Sequence, residues 1–343
     1  MSARGGFDGR RYRAGVNGRT RLGVVFGFCI GAGVAVQSRI NGALGARLHD
    51  GIAAAGVSFA VGLVALGVAF AVSGRLRAGF GRMRRGLAEG ELRPWQLLGG
   101  LFGALFVACQ GLTVAAIGVT AFTVAAVAGQ LVSSLVVDRL GLAPSGRTPV
   151  TAMRIGGAVL AVGAVLLAGL HRSGGSGGGL ALPDSLRNVP AVLLIVMPAV
   201  AGIGLAWQQA VNGRVGAVGG PFSATLANFG VGLIALLAIE SLVLVTIGGP
   251  AELPTTPWLY LGGLIGVAFI ALAALTVRWI SVLLFGLTSV AGQLIAALAL
   301  DLLTPTGAGL SPLSVLGCLL TLAAVVIAAR RSGPAEPQPM RSP

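Results

Sequence analysis

From Leu22 to Ala329 the chain is a succession of apolar runs, each long enough to cross a lipid bilayer. A hydrocarbon core of about 30 Å takes roughly 20 helical residues to span. Such runs fall at 22–43, 52–73, 95–113, 117–137, 150–170, 189–210, 222–247, 258–276, 280–300 and 312–329. Inside lipid every unpaired backbone amide or carbonyl is costly, which leaves only helices and closed barrels. The runs lack the in–out alternation of a barrel strand. They predict an all-α, polytopic membrane protein with about ten transmembrane helices. Residues 258–300 are nearly continuous, and Arg278-Trp279 is their one plausible break.

Composition excludes the main soluble alternatives. Hydrophobic residues make up 55% of the chain and charged residues 10%, where a soluble domain carries about a quarter charged. All 24 Lys+Arg residues are arginine, against 10 Asp+Glu, for a net charge of +14. In a soluble protein that balance would suggest nucleic acid as partner. Here most arginines lie in loops and tails, so membrane topology explains them and no nucleic-acid partner is expected. Cys29, Cys109 and Cys318 are isolated within apolar runs, and His49 and His171 have no partner at ligand spacing. They give no metal site and call for no cofactor. Zincin, nucleophile-elbow and phosphate-loop motifs are missing, so the chain does not read as an enzyme.

The chain repeats itself. GVAVQSRINGALGA (33–46) returns as GLAWQQAVNGRVGA (204–217), matching Gln37, Asn41, Gly42 and Gly45 with Gln208, Asn212, Gly213 and Gly216. Phe59 and Gly62 then match Phe229 and Gly232. In a second block Trp95, Gly99, Gly100, Gly103, Phe122, Gly129, Gln130, Asp138 and Pro149 match Trp258, Gly262, Gly263, Gly266, Phe285, Gly292, Gln293, Asp301 and Pro312. Apolar low complexity would align Leu and Ala by chance, but not Gln, Asn, Trp, Asp and Pro in order. Each copy holds about five helices, an odd number, so the second begins on the opposite side of the membrane. The arginines agree. With the N-terminus inside, cytoplasmic segments hold Arg4, Arg10, Arg11, Arg13, Arg19, Arg21, Arg75, Arg77, Arg82, Arg84, Arg85, Arg93, Arg139, Arg147, Arg214, Arg278, Arg330, Arg331 and Arg341. Outer loops hold only Arg47, Arg172 and Arg187. That is the positive-inside bias, and it makes the halves inverted-topology repeats, an architecture of alternating-access transporters.

The expected organisation is a disordered, Arg-rich cytoplasmic tail (1–21), a first five-helix repeat (22–171), a Gly/Ser-rich linker (172–188), a second five-helix repeat (189–330) and a cytoplasmic tail (331–343).

The runs QSRINGALG (37–45), SFAVG (58–62) and AGQLVSSLVVDRLG (128–141) resemble the YdcZ-like branch of the drug/metabolite transporter superfamily. The likeness covers about 22–170 and again about 189–329, as though two five-helix units were fused. The first copy is the nearer match, with Ser133, Ser134 and Arg139 where the second has Ala296, Ala297 and Leu302. The resemblance implies a multi-pass protein of a bacterial inner membrane that exports small molecules, with substrate held between the halves.

Gln37 and Asn41, and again Gln208 and Asn212, stand four residues apart on one helix face. Neutral amides hydrogen-bond a polar solute without a charge's desolvation cost, but they also bind helices together. Both readings stand, and the same holds for Gln130 and Gln293. Asp138 and Asp301 fall near helix ends, where an ion pair or a helix-end hydrogen bond accounts for them. Glu240 is the one acidic residue well inside an apolar span. It must face protein or water, either as a proton-coupling carboxylate alternately protonated and engaged by a cationic substrate, or as a carboxylate that snorkels or pairs with an arginine. Arg39 either binds an anionic solute or snorkels to the interface.

The leading expectation is a secondary transporter that exports a small polar or cationic metabolite or drug by alternating access, with the small-molecule substrate and the lipid bilayer as its partners. The alternatives are a non-transporting structural or sensor protein, and a lipid-carrier flippase.

Overall fold

The computed structural model describes residues 6–142, 146, 147, 149–173, 191–246, 248–276, 282–304 and 312–329. Ten helices occur among them: α1 (Gly6–Leu48), α2 (Gly51–Val72), α3 (Gly74–Ala88), α4 (Gly99–Leu140), α5 (Ala152–Ser173), α6 (Ala191–Gly219), α7 (Pro221–Thr246), α8 (Leu261–Thr276), α9 (Val282–Leu303) and α10 (Pro312–Ala329). Among the described residues there is no strand. The chain is an all-α polytopic membrane protein, as the apolar runs predict.

The number of crossings and the number of helices agree only through two offsetting differences. At about 1.5 Å per residue, the 42 residues of α4 would span about twice the hydrocarbon core. The helix breaks at Gly118 (φ 80°, ψ 162°), a backbone region open essentially to glycine, so α4 supplies two crossings. The sequence placed that break between 113 and 117, just short of where it falls. Conversely α3 is not a crossing. Residues 74–94 read as an Arg-rich loop, yet 74–88 form an amphipathic helix. Its Met83 packs with Val215 and Ala224, and Phe80 and Leu87 pack beside them.

Two other expectations change or fall outside the described residues. The tail expected to be disordered through residue 21 is helical from Gly6. No proline interrupts 6–48, and extending an existing helix costs far less than nucleating one. The linker expected at 172–188 lies outside the described residues beyond Ser173, as do Arg278-Trp279 and the tail from 331.

The halves interlock about a pseudo-two-fold axis. Helix α1 packs on α8 and α9 of the other half, and α6 packs in the same way on the two parts of α4. Helices α2 and α7 pair with each other, as do α5 and α10. Phe59 and Phe229, repeat equivalents, stack with ring centroids 4.8 Å apart. Gly62 faces the Phe229 ring and Gly232 faces the Phe59 ring.

The tightest approaches also come in equivalent pairs. Gly129 lies against the Ala199 carbonyl and Gly292 against the Phe28 carbonyl. Gly202 lies against the Ala126 carbonyl and Gly31 against that of Ser289. A Cβ at any of the four would meet backbone, which cannot swing aside as a side chain can. Substituting valine at Gly129 or Gly292 should therefore lower stability by about 1–3 kcal/mol. Thermal unfolding in detergent reads this, with Gly56→Val, which faces open space, expected to stay near wild type.

Candidate functional site

The repeated amides form two clusters at opposite ends of the bundle, one toward Asp50 and one toward α3. At the Asp50 end, Gln37 and Asn41 stand one turn apart on α1 and face α4 and α8. Gln37 Nε2 donates to the Gly262 carbonyl at 3.0 Å. Asn41 Nδ2 donates to Gln110 Oε1 at 2.7 Å. Gln110 Nε2 donates in turn to Ser38 Oγ at 2.8 Å, and Ser38 Oγ to the Val34 carbonyl at 2.9 Å. Asn41 and Gln110 are wholly buried. Gly262 allows the contact, since a Cβ there would strike Asn41 Oδ1.

At the α3 end the same crossing is rebuilt with one change. Gln208 Nε2 and Asn212 Nδ2 both donate to Asn228 Oδ1, at 2.8 and 3.1 Å. Gly99 lies over Asn212 and Gly103 over Gln208, as Gly262 and Gly266 lie over Asn41 and Gln37. Asn228 is the repeat equivalent of Ser58. In the first half Gln110 of α4 acts as the hub; in the second, α7 supplies it.

Among the described residues, three buried polar atoms in these clusters have no hydrogen-bond partner: Asn41 Oδ1, Ser58 Oγ and Gln208 Oε1. An amide oxygen desolvated without a hydrogen bond is unfavourable by about 1–3 kcal/mol, so each cluster holds acceptors that a polar solute or water would satisfy. Two shallow surface depressions lie around α3, lined by Arg82, Arg84, Arg85 and neighbours, away from both clusters.

The other sequence candidates are not drawn together with these amides. Gln130 Nε2 donates to Gln209 Oε1 at 3.0 Å in an exposed α4–α6 contact. Gln293 is buried on α9 where Gly31 of α1 closes on it. Glu240 lies toward the Asp50 end of α7, with Asp50 as a neighbouring like charge. Among the described residues neither of its carboxylate oxygens is accessible or hydrogen-bonded. Arg39 Nη2 donates to the Thr304 carbonyl at 2.8 Å, just past the end of α9, where a cation suits the helix dipole.

The equivalent aspartates do different work. Asp138 pairs with Arg154 across the α4–α5 turn, not with its neighbour Arg139. Asp301, only 6% exposed, accepts the backbone N–H of Val119 at 3.0 Å and of Thr120 at 2.7 Å. Those are first-turn donors of the segment after Gly118, which no carbonyl of their own helix can reach. The second half thus caps the break in the first.

Sequence reading passed over Gln110, Asn228, Ser58 and Gln209. Gln110 has Ala273 as its repeat equivalent, so a search for matched polar pairs misses it. Listing every amide inside an apolar run, matched or not, would have found both Gln110 and Asn228.

Two segments, residues 22–167 and 193–327, match the family described as "Putative inner membrane exporter, YdcZ". No curated protein matches the chain. One solved structure, described as "Crystal structure of protein", is similar at 20% identity, over 93% of this chain and 99% of its own, with a TM-score of 0.49.

The two aspartates separate by substitution. Asp301→Ala should lower stability by about 1–3 kcal/mol, because it strands two buried N–H groups. Asp138→Ala should cost at most about 1 kcal/mol, as expected of a partly exposed ion pair. Thermal melts of the two variants in one detergent make the comparison.

Proposed function

This chain belongs to the YdcZ family of inner membrane exporters, and from that premise we propose that it is a secondary transporter exporting a small polar or cationic metabolite or drug by alternating access. The observation that supports this is the duplicated amide crossing, built once at each end of the bundle around the stacked Phe59 and Phe229. Each cluster acts as a gate. Closed, its amides bond to one another and to backbone; open, they exchange those bonds for substrate or water. Because they are neutral, they engage a solute without the cost of burying a fixed charge. Opening one end while the other stays shut requires only that one crossing separate at a time, and the inverted repeat makes the two states near mirror alternatives.

The Asp50 end faces outward and the α3 end faces the cytoplasm, with both termini inside. This orientation rests on the arginine bias. Gln130 and Gln293 border the path where the first crossing of each repeat, α6 and α1, slides. Glu240, whose carboxylate has no hydrogen-bond partner among the described residues, is alternately protonated and engaged by the cationic solute, losing its proton to water as the solute binds.

A second reading, a non-transporting structural or sensor protein, draws on the fact that most cluster donors are already bonded inside the protein. Flux decides between them. Cells lacking and overproducing the protein are compared by untargeted metabolite analysis, and each solute that changes is tested in proteoliposomes. The transporter reading expects overproduction to lower the internal level of a polar or cationic solute that reconstituted protein then carries; no flux of any such solute contradicts it. With flux in hand, Asn41→Ala and Asn212→Ala should each slow it about three- to tenfold, the range of one interhelical hydrogen bond. Glu240→Gln should uncouple flux from a proton gradient, and wild-type flux at every pH would remove Glu240 from the mechanism.

A further inference from the structure

We propose that α3 is a binding site for the headgroup of an anionic phospholipid, with Arg84 and Arg85 as its ligands. Helix α3 is where the two halves differ most. The second repeat has no helix at the corresponding place, and residues 248–256 between α7 and the turn before α8 contain no arginine. Arginines in an unstructured loop would satisfy a topological role. What requires explanation is that they sit on a helix docked against the bundle.

The docking fixes where α3 lies. It follows α2 after one extended residue, Ser73, and runs across the ends of three crossings. Arg77 Nη1 donates to the Phe70 and Ala71 carbonyls at 2.8 and 2.5 Å, at the end of α2. Gly79 lies against the Gly219 carbonyl and Ser223, where α6 gives way to α7. Arg82 Nε reaches the Val218 carbonyl at 3.4 Å. Two arginines are thus used to hold the helix to C-terminal carbonyls, where a cation is favourable.

Arg84 and Arg85 are not used in this way. Both are exposed, and neither side chain makes a hydrogen bond or ion pair to any described residue. Gly81, Arg84, Arg85 and Ala88 share one face at helical spacing, and they line a shallow depression with the two small residues beside the guanidiniums. Glu89 and Glu91 border an adjoining depression with Arg82 and Arg85, so the Arg84 side is the more strongly basic.

Position selects a lipid. Val64, Val68 and Val72 form an exposed apolar stripe on α2, which faces acyl chains in a membrane protein. That stripe ends at the residue before the α2–α3 junction. A lipid lying along it brings its phosphate to the level of α3, the helix that carries the two guanidiniums. Arginine's planar fork suits a phosphate oxygen pair, and basic residues at this depth favour anionic lipids.

The test uses the full-length protein purified in detergent, supplied with phosphatidylglycerol or phosphatidylcholine and examined by native mass spectrometry. Wild type should retain phosphatidylglycerol in preference to phosphatidylcholine. Arg84→Gln and Arg85→Gln should each reduce that retention about fivefold, and the double variant should abolish the preference. Equal retention of both lipids by wild type overturns the proposal. So does an equal loss in Arg47→Gln, which removes the same charge at the opposite end and would reveal a net-charge effect. Lipid retention is read without any transport, so this result stands apart from whether the protein proves to be an exporter.

Discussion

The structure depends on bringing polypeptide backbones from opposite halves into direct contact. Lipid gives apolar side chains no reason to prefer a neighbouring helix over an acyl chain, so crossings are held by close packing and by hydrogen bonds. Both need small residues at the contact. Gly129 on Ala199 and Gly292 on Phe28, with Gly202 on Ala126 and Gly31 on Ser289, provide two copies of one such crossing. Because each crossing joins a helix of one half to a helix of the other, neither half can complete its own packing. The interlock also accounts for the placement of Asp301, which caps a helix segment belonging to the opposite repeat.

On that frame the amides occupy positions where glycine has already brought the helices close. Gly262 and Gly99 give Asn41 and Asn212 room, and the side chains then bond across the gap. A charged residue at these points would need a partner or a large desolvation cost, whereas a neutral amide can exchange one partner for another of equal polarity. On the proposed gating, the clusters are therefore stable when shut without being fixed shut. The same proposal makes the two closures unequal in strength, because the hub is Gln110 at one end and Asn228 at the other.

Much of this was legible from residues alone. The apolar runs fixed the helical class because lipid leaves so few options, and the matched Gln, Asn, Gly and Asp gave the inverted duplication and its register. The α4 turn at Gly118 was placed almost correctly, although no polar loop marks it. Two features were hidden. Helix α3 was masked by its arginines, whose abundance suggested loop while Phe80, Met83 and Leu87 were quietly helical in spacing. The hubs escaped because duplication directs attention to what repeats, and Gln110 does not. Which partner each amide takes depends on three-dimensional crossing geometry, which no spacing rule supplies.

The central claim is that the two clusters open in alternation, and thiol accessibility tests it without knowledge of the substrate. In a background with Cys29, Cys109 and Cys318 replaced, Asn41→Cys and Asn212→Cys are treated with a membrane-impermeant thiol reagent from each face in turn. The account predicts labelling of Asn41→Cys from one face only and of Asn212→Cys from the opposite face only. It also predicts that cross-linking Gln37→Cys to Gly266→Cys, which holds one end shut, raises labelling at the other. If both positions stay unreactive from either face, with or without the cross-link, the amides are permanent helix contacts and the alternating-gate account is wrong.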